Sequence, residues 1–63
     1  MLNKFYVIYD KANDQVVQWS NGKVVLYLEK DNAYNDCYVN EFVVSVDKLP
    51  NYWKDAIASQ LKK

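Results

Sequence analysis

The sequence predicts an α+β fold: a small three- to four-stranded antiparallel sheet with a C-terminal amphipathic helix packed on one face. Three observations carry the prediction. Residues 4–9, 15–20, 23–30 and 39–46 are rich in aromatic and β-branched side chains, which favour strands. Asn21-Gly22 separates two of these runs, and that dipeptide suits a two-residue hairpin turn because both residues tolerate positive φ. After Pro50, the residues Trp53, Ala56, Ile57 and Leu61 recur at helical spacing.

Taken in order, residues 4–9 form the first strand, and residues 10–14 are a polar break with turn-forming Asp10 and Asp14 at its ends. A two-residue turn at Asn21-Gly22 would pair Ser20 with Lys23, Trp19 with Val24, Val17 with Leu26 and Gln15 with Leu28. Trp19, Val17, Val24, Leu26 and Leu28 then share a face, taken here as the core. If Asp10 pairs with Gln15, Tyr6 and Ile8 join it. Phe5, Val7 and Tyr9 fall on the opposite side with Val16, Val25 and Tyr27, beside Gln18. A half-solvated antiparallel strand alternates apolar with polar residues, whereas these strands are apolar on both sides.

Residues 31–38 admit two readings. Asp31 caps a short helix whose inner side is Ala33, Tyr34, Cys37 and Tyr38, or the segment is a polar loop. Residues 39–46 read as a strand with Phe42, Val44 and Val46 inward and Glu41, Val43 and Ser45 outward. Pro50 suits the first turn of the last helix, and Lys62 and Lys63 complement the negative end of its dipole. One helix covers one face of a sheet. The second apolar face therefore calls for the 31–38 segment, or another chain, to lie across it.

The chain of 63 residues reads as a single domain over 1–63, with no linker or internal repeat. So short a chain has a thin margin of stability. Cys37 is the only cysteine, so an intramolecular disulfide is excluded; with no histidine, a zinc site would need one thiolate and three carboxylates. The aromatic content remains as the stabilising resource: six Tyr, two Trp and two Phe. A lone thiol, with no apolar leader run over residues 1–10, points to a cytoplasmic setting, and no run approaches membrane-spanning length.

Chemistry of the usual enzymatic kinds finds few materials. No histidine means no Ser-His-Asp or Cys-His pair, and the single glycine excludes a glycine-rich phosphate loop. No catalytic residue, cofactor or metal site is therefore predicted. Asp10 with Asp14, and Asp31 with Asp36, are explained by turns and solvation. The oxygen ligands Asp31, Asn32, Asn35 and Asp36 read as a solvated turn, and Asp36 beside Cys37 raises that thiol's pKa.

Protein binding needs the fewest assumptions, because interface centres are rich in Tyr, Trp and Phe and poor in charge. Phe5, Val7, Tyr9, Val25 and Tyr27 are the contact candidates, with a host protein or a second copy of the chain as partner. The alternative is a single-stranded nucleic-acid module that stacks bases on Phe5, Tyr9 and Tyr27, flanked by Lys4, Lys11 and Lys23. Eight Lys balanced by eight acidic residues, with no Arg, weigh against nucleic acid. A structural virion subunit is a third reading. Eight Lys, seven Asn and six Tyr, all read from AT-rich codons, fit a low-GC source. A tiny chain of this composition with aromatic strands is similar to accessory proteins of phages. That resemblance implies binding, and inhibition or redirection, of a host protein, host defence included.

Overall fold

The computed structural model describes residues 4–62. Its element order is β1 (Tyr6–Asp10), β2 (Gln15–Val16), α1 (Lys30–Asn35), β3 (Glu41–Ser45), a 3-10 turn (Val46–Lys48) and α2 (Asn51–Leu61). The α+β class stands: a three-stranded antiparallel sheet in the order β2-β1-β3 and a C-terminal helix. β1 lies in the middle, with Asp10 opposite Gln15 as the sequence predicts and Tyr6 opposite Ser45 at the other end. The connection between β1 and β2 is an Asx turn: Asp10 Oδ1 accepts from the Ala12 and Asn13 amides at 3.1 and 3.3 Å.

The hairpin at Asn21-Gly22 has a different register from the one expected. Gly22 N–H donates to the Trp19 carbonyl at 2.9 Å and Trp19 N–H to the Lys23 carbonyl at 2.8 Å. The loop therefore holds three residues, Ser20 to Gly22, with Gly22 at φ +90°. This is a β-turn closed by a left-handed glycine, the next commonest hairpin after the two-residue type. Trp19 faces Lys23 instead of Val24, and Gln18 faces Val24. A shift of one residue exchanges the faces, so Val17 parts company with Val24 and Leu26. The run 23–30 is not a continuous strand. It touches the sheet through isolated bridges, Gln18 to Val24 and Tyr6 to Tyr27, the latter bonded both ways at 2.7 and 2.9 Å.

The core lies on the face opposite to the one expected for β1. Val7, Val16, Val24, Val46, Leu49 and Ile57 form one buried cluster, with Phe5, Leu26, Val44 and Trp53 packed against it. Trp19 and Leu28, expected inside, are exposed. The helix after Pro50 is confirmed, Pro50 serving as its N-cap. Its stripe is narrower than predicted, since Ile57 is buried and Trp53 half-buried while Ala56 and Leu61 are exposed. Lys62 is the C-cap, and Lys63 lies outside the described residues.

The second face is covered by α1, which packs on β1 and β3. Ile8, Val25 and Ala33 are buried there. The helical reading of 31–38 holds in shortened form, with Glu29 rather than Asp31 at the N-cap and an end before Cys37. Ala33 is inside and Cys37 half-buried, but Tyr34 and Tyr38 face solvent. The surplus apolar side of the sheet is thus mostly core. Two thin layers of helix on a three-stranded sheet leave little room for a large central cavity.

Candidate functional site

The two sides of the sheet end differently. In the hairpin, Trp19 N–H donates to the Lys23 carbonyl and Val25 N–H to the Val17 carbonyl, on either side of the Gln18–Val24 bridge, so the Val24 N–H and C=O point away from Gln18. The Gln60 side chain from α2 meets both: its Oε1 accepts from Val24 N–H at 2.7 Å and its Nε2 donates to the Val24 carbonyl at 2.9 Å. One amide thereby imitates a neighbouring strand at Val24.

The β3 edge has no such closure. Lys11 N–H bonds the Asn40 carbonyl and Val46 N–H bonds the Phe5 carbonyl, so Phe42 and Val44 also face β1 with their backbone groups. Val43 and Ser45 therefore direct their N–H and C=O groups outward, away from the sheet. Among the described residues no other strand pairs with β3 on that side. Natural edges are often blunted by charged side chains, proline or a bulge, and Glu41-Phe42-Val43-Val44-Ser45 has no lysine, proline or bulge, its one charge being Glu41 at the first position.

Apolar side chains fringe this edge. The turn into β3 is fixed by Glu41 N–H donating to the Tyr38 carbonyl at 3.1 Å and Tyr38 N–H donating to Glu41 Oε1 at 2.9 Å. Asn40 takes φ 69°, a conformation that asparagine tolerates better than most residues. The turn holds Tyr38 and Val39 out in water, 81% and 87% exposed, while Phe42 on the strand is 51% exposed. Beside Val44, on the same face as Phe42, lies an open groove of about 340 Å³ lined by Tyr9, Asp14, Val44, Lys48, Leu49, Pro50 and Trp53.

The residues predicted from sequence to make contacts do not form one surface. Val7 is fully buried and Val25 nearly so, and Phe5 is half-buried against the core. Tyr9 is half-buried and its hydroxyl donates to the Asp14 carboxylate, which raises the phenol's pKa. Tyr27 pairs with Tyr6, one residue out of step with Val7 and Tyr9, so it lies on the α1 side of the sheet. Its hydroxyl donates to Asp36 at 2.6 Å, and burial, then the Asp36 hydrogen bond, push its pKa up to about 12. Phe5, Tyr9 and Tyr27 consequently build no common stacking platform. Asp36 is engaged by Tyr27, and among the described residues no group of three or more acidic or thiol side chains could hold a metal ion. The Cys37 thiol is shifted up by burial, then by Glu41 and Asp36, which makes it a poor nucleophile.

Fold and edge together define the class: a small α+β domain whose β3 edge is open, with the Val24 backbone on the other side of the sheet capped by a side chain. No helix among the described residues is long and apolar enough to cross a membrane. Comparison with models of protein families, with curated proteins and with solved structures finds no match for the chain.

Proposed function

We propose that this chain is a non-catalytic protein-binding module that adds a partner's strand to the free edge of β3. The observation that carries the reading is the outward-pointing backbone of Val43 and Ser45, flanked by exposed Phe42, Tyr38 and Val39. In strand addition, main-chain hydrogen bonds supply affinity and alternate side chains supply selectivity. Such a surface needs no catalytic group, in keeping with a chain that lacks histidine. The composition extends the reading to an accessory protein that occupies or redirects a host protein in the cytoplasm, where a lone thiol remains reduced.

Ser45→Pro provides the test. Ser45 already has φ −70°, the value proline requires, and its N–H points away from β1. The variant keeps the β1–β3 ladder and removes an outward donor. A displayed library of unstructured peptides should yield extended apolar binders to the wild-type domain that Ser45→Pro loses. Binders that ignore the substitution, or none at all to the monomeric domain, would refute strand addition at β3.

A further inference from the structure

We infer that the occupant of the β3 edge is a second copy of this chain, paired antiparallel about Val43 with its Phe42 seated in the groove beside Val44. The inference rests on the strand-addition reading above and names its partner. Three features of the edge point to self-pairing.

The first is hydrogen-bond register. A two-fold axis at Val43 sets Val43 against Val43 of the second copy and Ser45 against its Glu41. Each Val43 N–H then donates to the other Val43 carbonyl, and each Ser45 N–H to the Glu41 carbonyl across the axis. The Glu41 N–H is not needed, because it already donates to the Tyr38 carbonyl of its own chain. Both Val43 groups and the Ser45 N–H receive a partner across the axis, while the Ser45 carbonyl, opposite the engaged Glu41 N–H, stays hydrated at the end of the ladder.

The second is side-chain fit. In this register Phe42 stands opposite Val44 of the other copy, in a non-hydrogen-bonded pair where side chains approach closest. Both residues lie on the face that carries Tyr9, since Tyr9 is the direct partner of Phe42 on β1. The groove of about 340 Å³ opens beside Val44 and is walled by Leu49, Pro50 and Trp53. A cavity of roughly 150 Å³ accepts benzene, so the groove has ample volume for a phenylalanine ring. Each copy contributes one exposed ring and one groove, the isologous arrangement of a two-fold interface.

The third is charge. Pairing about Val43 sets Glu41 opposite Ser45. Moving the axis to Val44 would set Glu41 opposite Asp47 of the other copy, like against like, and would put Phe42 opposite Val46, which is fully buried in its own core. Charge and burial select the same register. At the opposite side β2 is only two residues long and the Val24 backbone is occupied by Gln60, so β3 offers the longer run of free backbone for pairing.

Sedimentation equilibrium on the full chain from about 1 to 100 μM tests this, a range that brackets micromolar dissociation constants. The expected result is a reversible dimer at twice 7.4 kDa. Phe42→Ala and Ser45→Pro should each weaken it by about tenfold or more, with circular dichroism showing each variant folded. A wild-type chain that stays monomeric throughout overturns the inference. So does a dimer that neither substitution weakens. The peptide library separates the two readings: a monomer that still captures strands in a Ser45→Pro-sensitive manner loses only the second copy as partner, whereas a monomer that captures none loses strand addition as well.

Discussion

Replacing Gln60 by Met should cost this domain about 1–3 kcal/mol, although no residue of the hydrophobic cluster is changed. Methionine keeps the length of the side-chain stem and removes both amide atoms. The Val24 N–H and C=O, bonded at 2.7 and 2.9 Å in the native chain, then lose their partners. A net hydrogen bond contributes about 0.5–1.5 kcal/mol, and a buried group left unpaired costs about 1–3. The lower figure applies to each bond because a groove of about 370 Å³ reaches both Val24 and Gln60, and water can enter there. For a domain of this size each kcal/mol moves Tm by roughly 4–8 °C. Urea unfolding followed by Trp53 and Trp19 fluorescence measures the loss, with m expected to be unchanged. Gln60→Glu adds a second reading of the same geometry. A carboxylate can accept from Val24 N–H but faces the Val24 carbonyl with a lone pair. Protonation near the usual glutamate pKa of about 4.3 restores the donor, so the deficit of this variant should shrink between pH 7 and pH 4. A Gln60→Met variant within about 0.5 kcal/mol of the native chain would refute the claim that this amide stands in for a strand.

Two further outcomes follow from the packing and from Tyr27. Ile57, fully buried where α2 meets the sheet, should cost about 2–5 kcal/mol on truncation to Ala and about 0.5–1.5 to Val; chemical denaturation reads both. At roughly 4–8 °C per kcal/mol, Ile57→Ala should lower Tm by about 10 °C or more by circular dichroism. The Tyr27 phenol is raised from 10.0 to about 12 by burial and then by Asp36. Its neutral form is the one the fold favours, so its contribution is fully present below pH 10 and is lost as pH rises through about 12. The stability gap between the native chain and Tyr27→Phe should therefore be constant below pH 10 and shrink above it. A gap that stays flat to pH 12 would show that the phenol is not held by the fold.

What could be read from the residues, and what could not, divides along a physical line. The α+β class, the pairing of Asp10 with Gln15 and the helix after Pro50 all rest on local signals: a polar turn, a strand composition and an apolar stripe. The face of the sheet that is core rests on one residue of turn length. Asn21-Gly22 supports a two-residue loop or the second half of a three-residue one, and both place the glycine at positive φ. The choice decides whether Trp19 meets Val24 or Lys23, and local preference does not make it. Burying Val24 and Leu26 with Val7, Val16 and Ile57 does, leaving Trp19 in water. The contact candidates follow the same choice, since Val7 is buried in the cluster that includes Ile57 and Val25 is buried as well.

The β3 edge was missed for a different reason, because sequence reading asked which side chains lie outside and the site is made of backbone. Its signal was nevertheless present. Glu41-Phe42-Val43-Val44-Ser45 is a strand without lysine, proline or glycine, and a strand at an edge ordinarily carries such a guard. On the other side of the sheet the Val24 backbone is guarded by Gln60, thirty-six residues distant in sequence. A domain that caps Val24 with a dedicated amide and leaves β3 bare, beside an exposed Phe42 and an open groove, has its longest unpaired backbone placed where a partner strand can reach it. The apolar surplus that first suggested an interface thus resolves into two parts. Most of it is core under α1 and α2; of the rings and aliphatic groups left exposed, Phe42, Tyr38 and Val39 lie along the open β3 edge, while Trp19, Leu28, Tyr34, Tyr52 and Leu61 are spread over the rest of the surface.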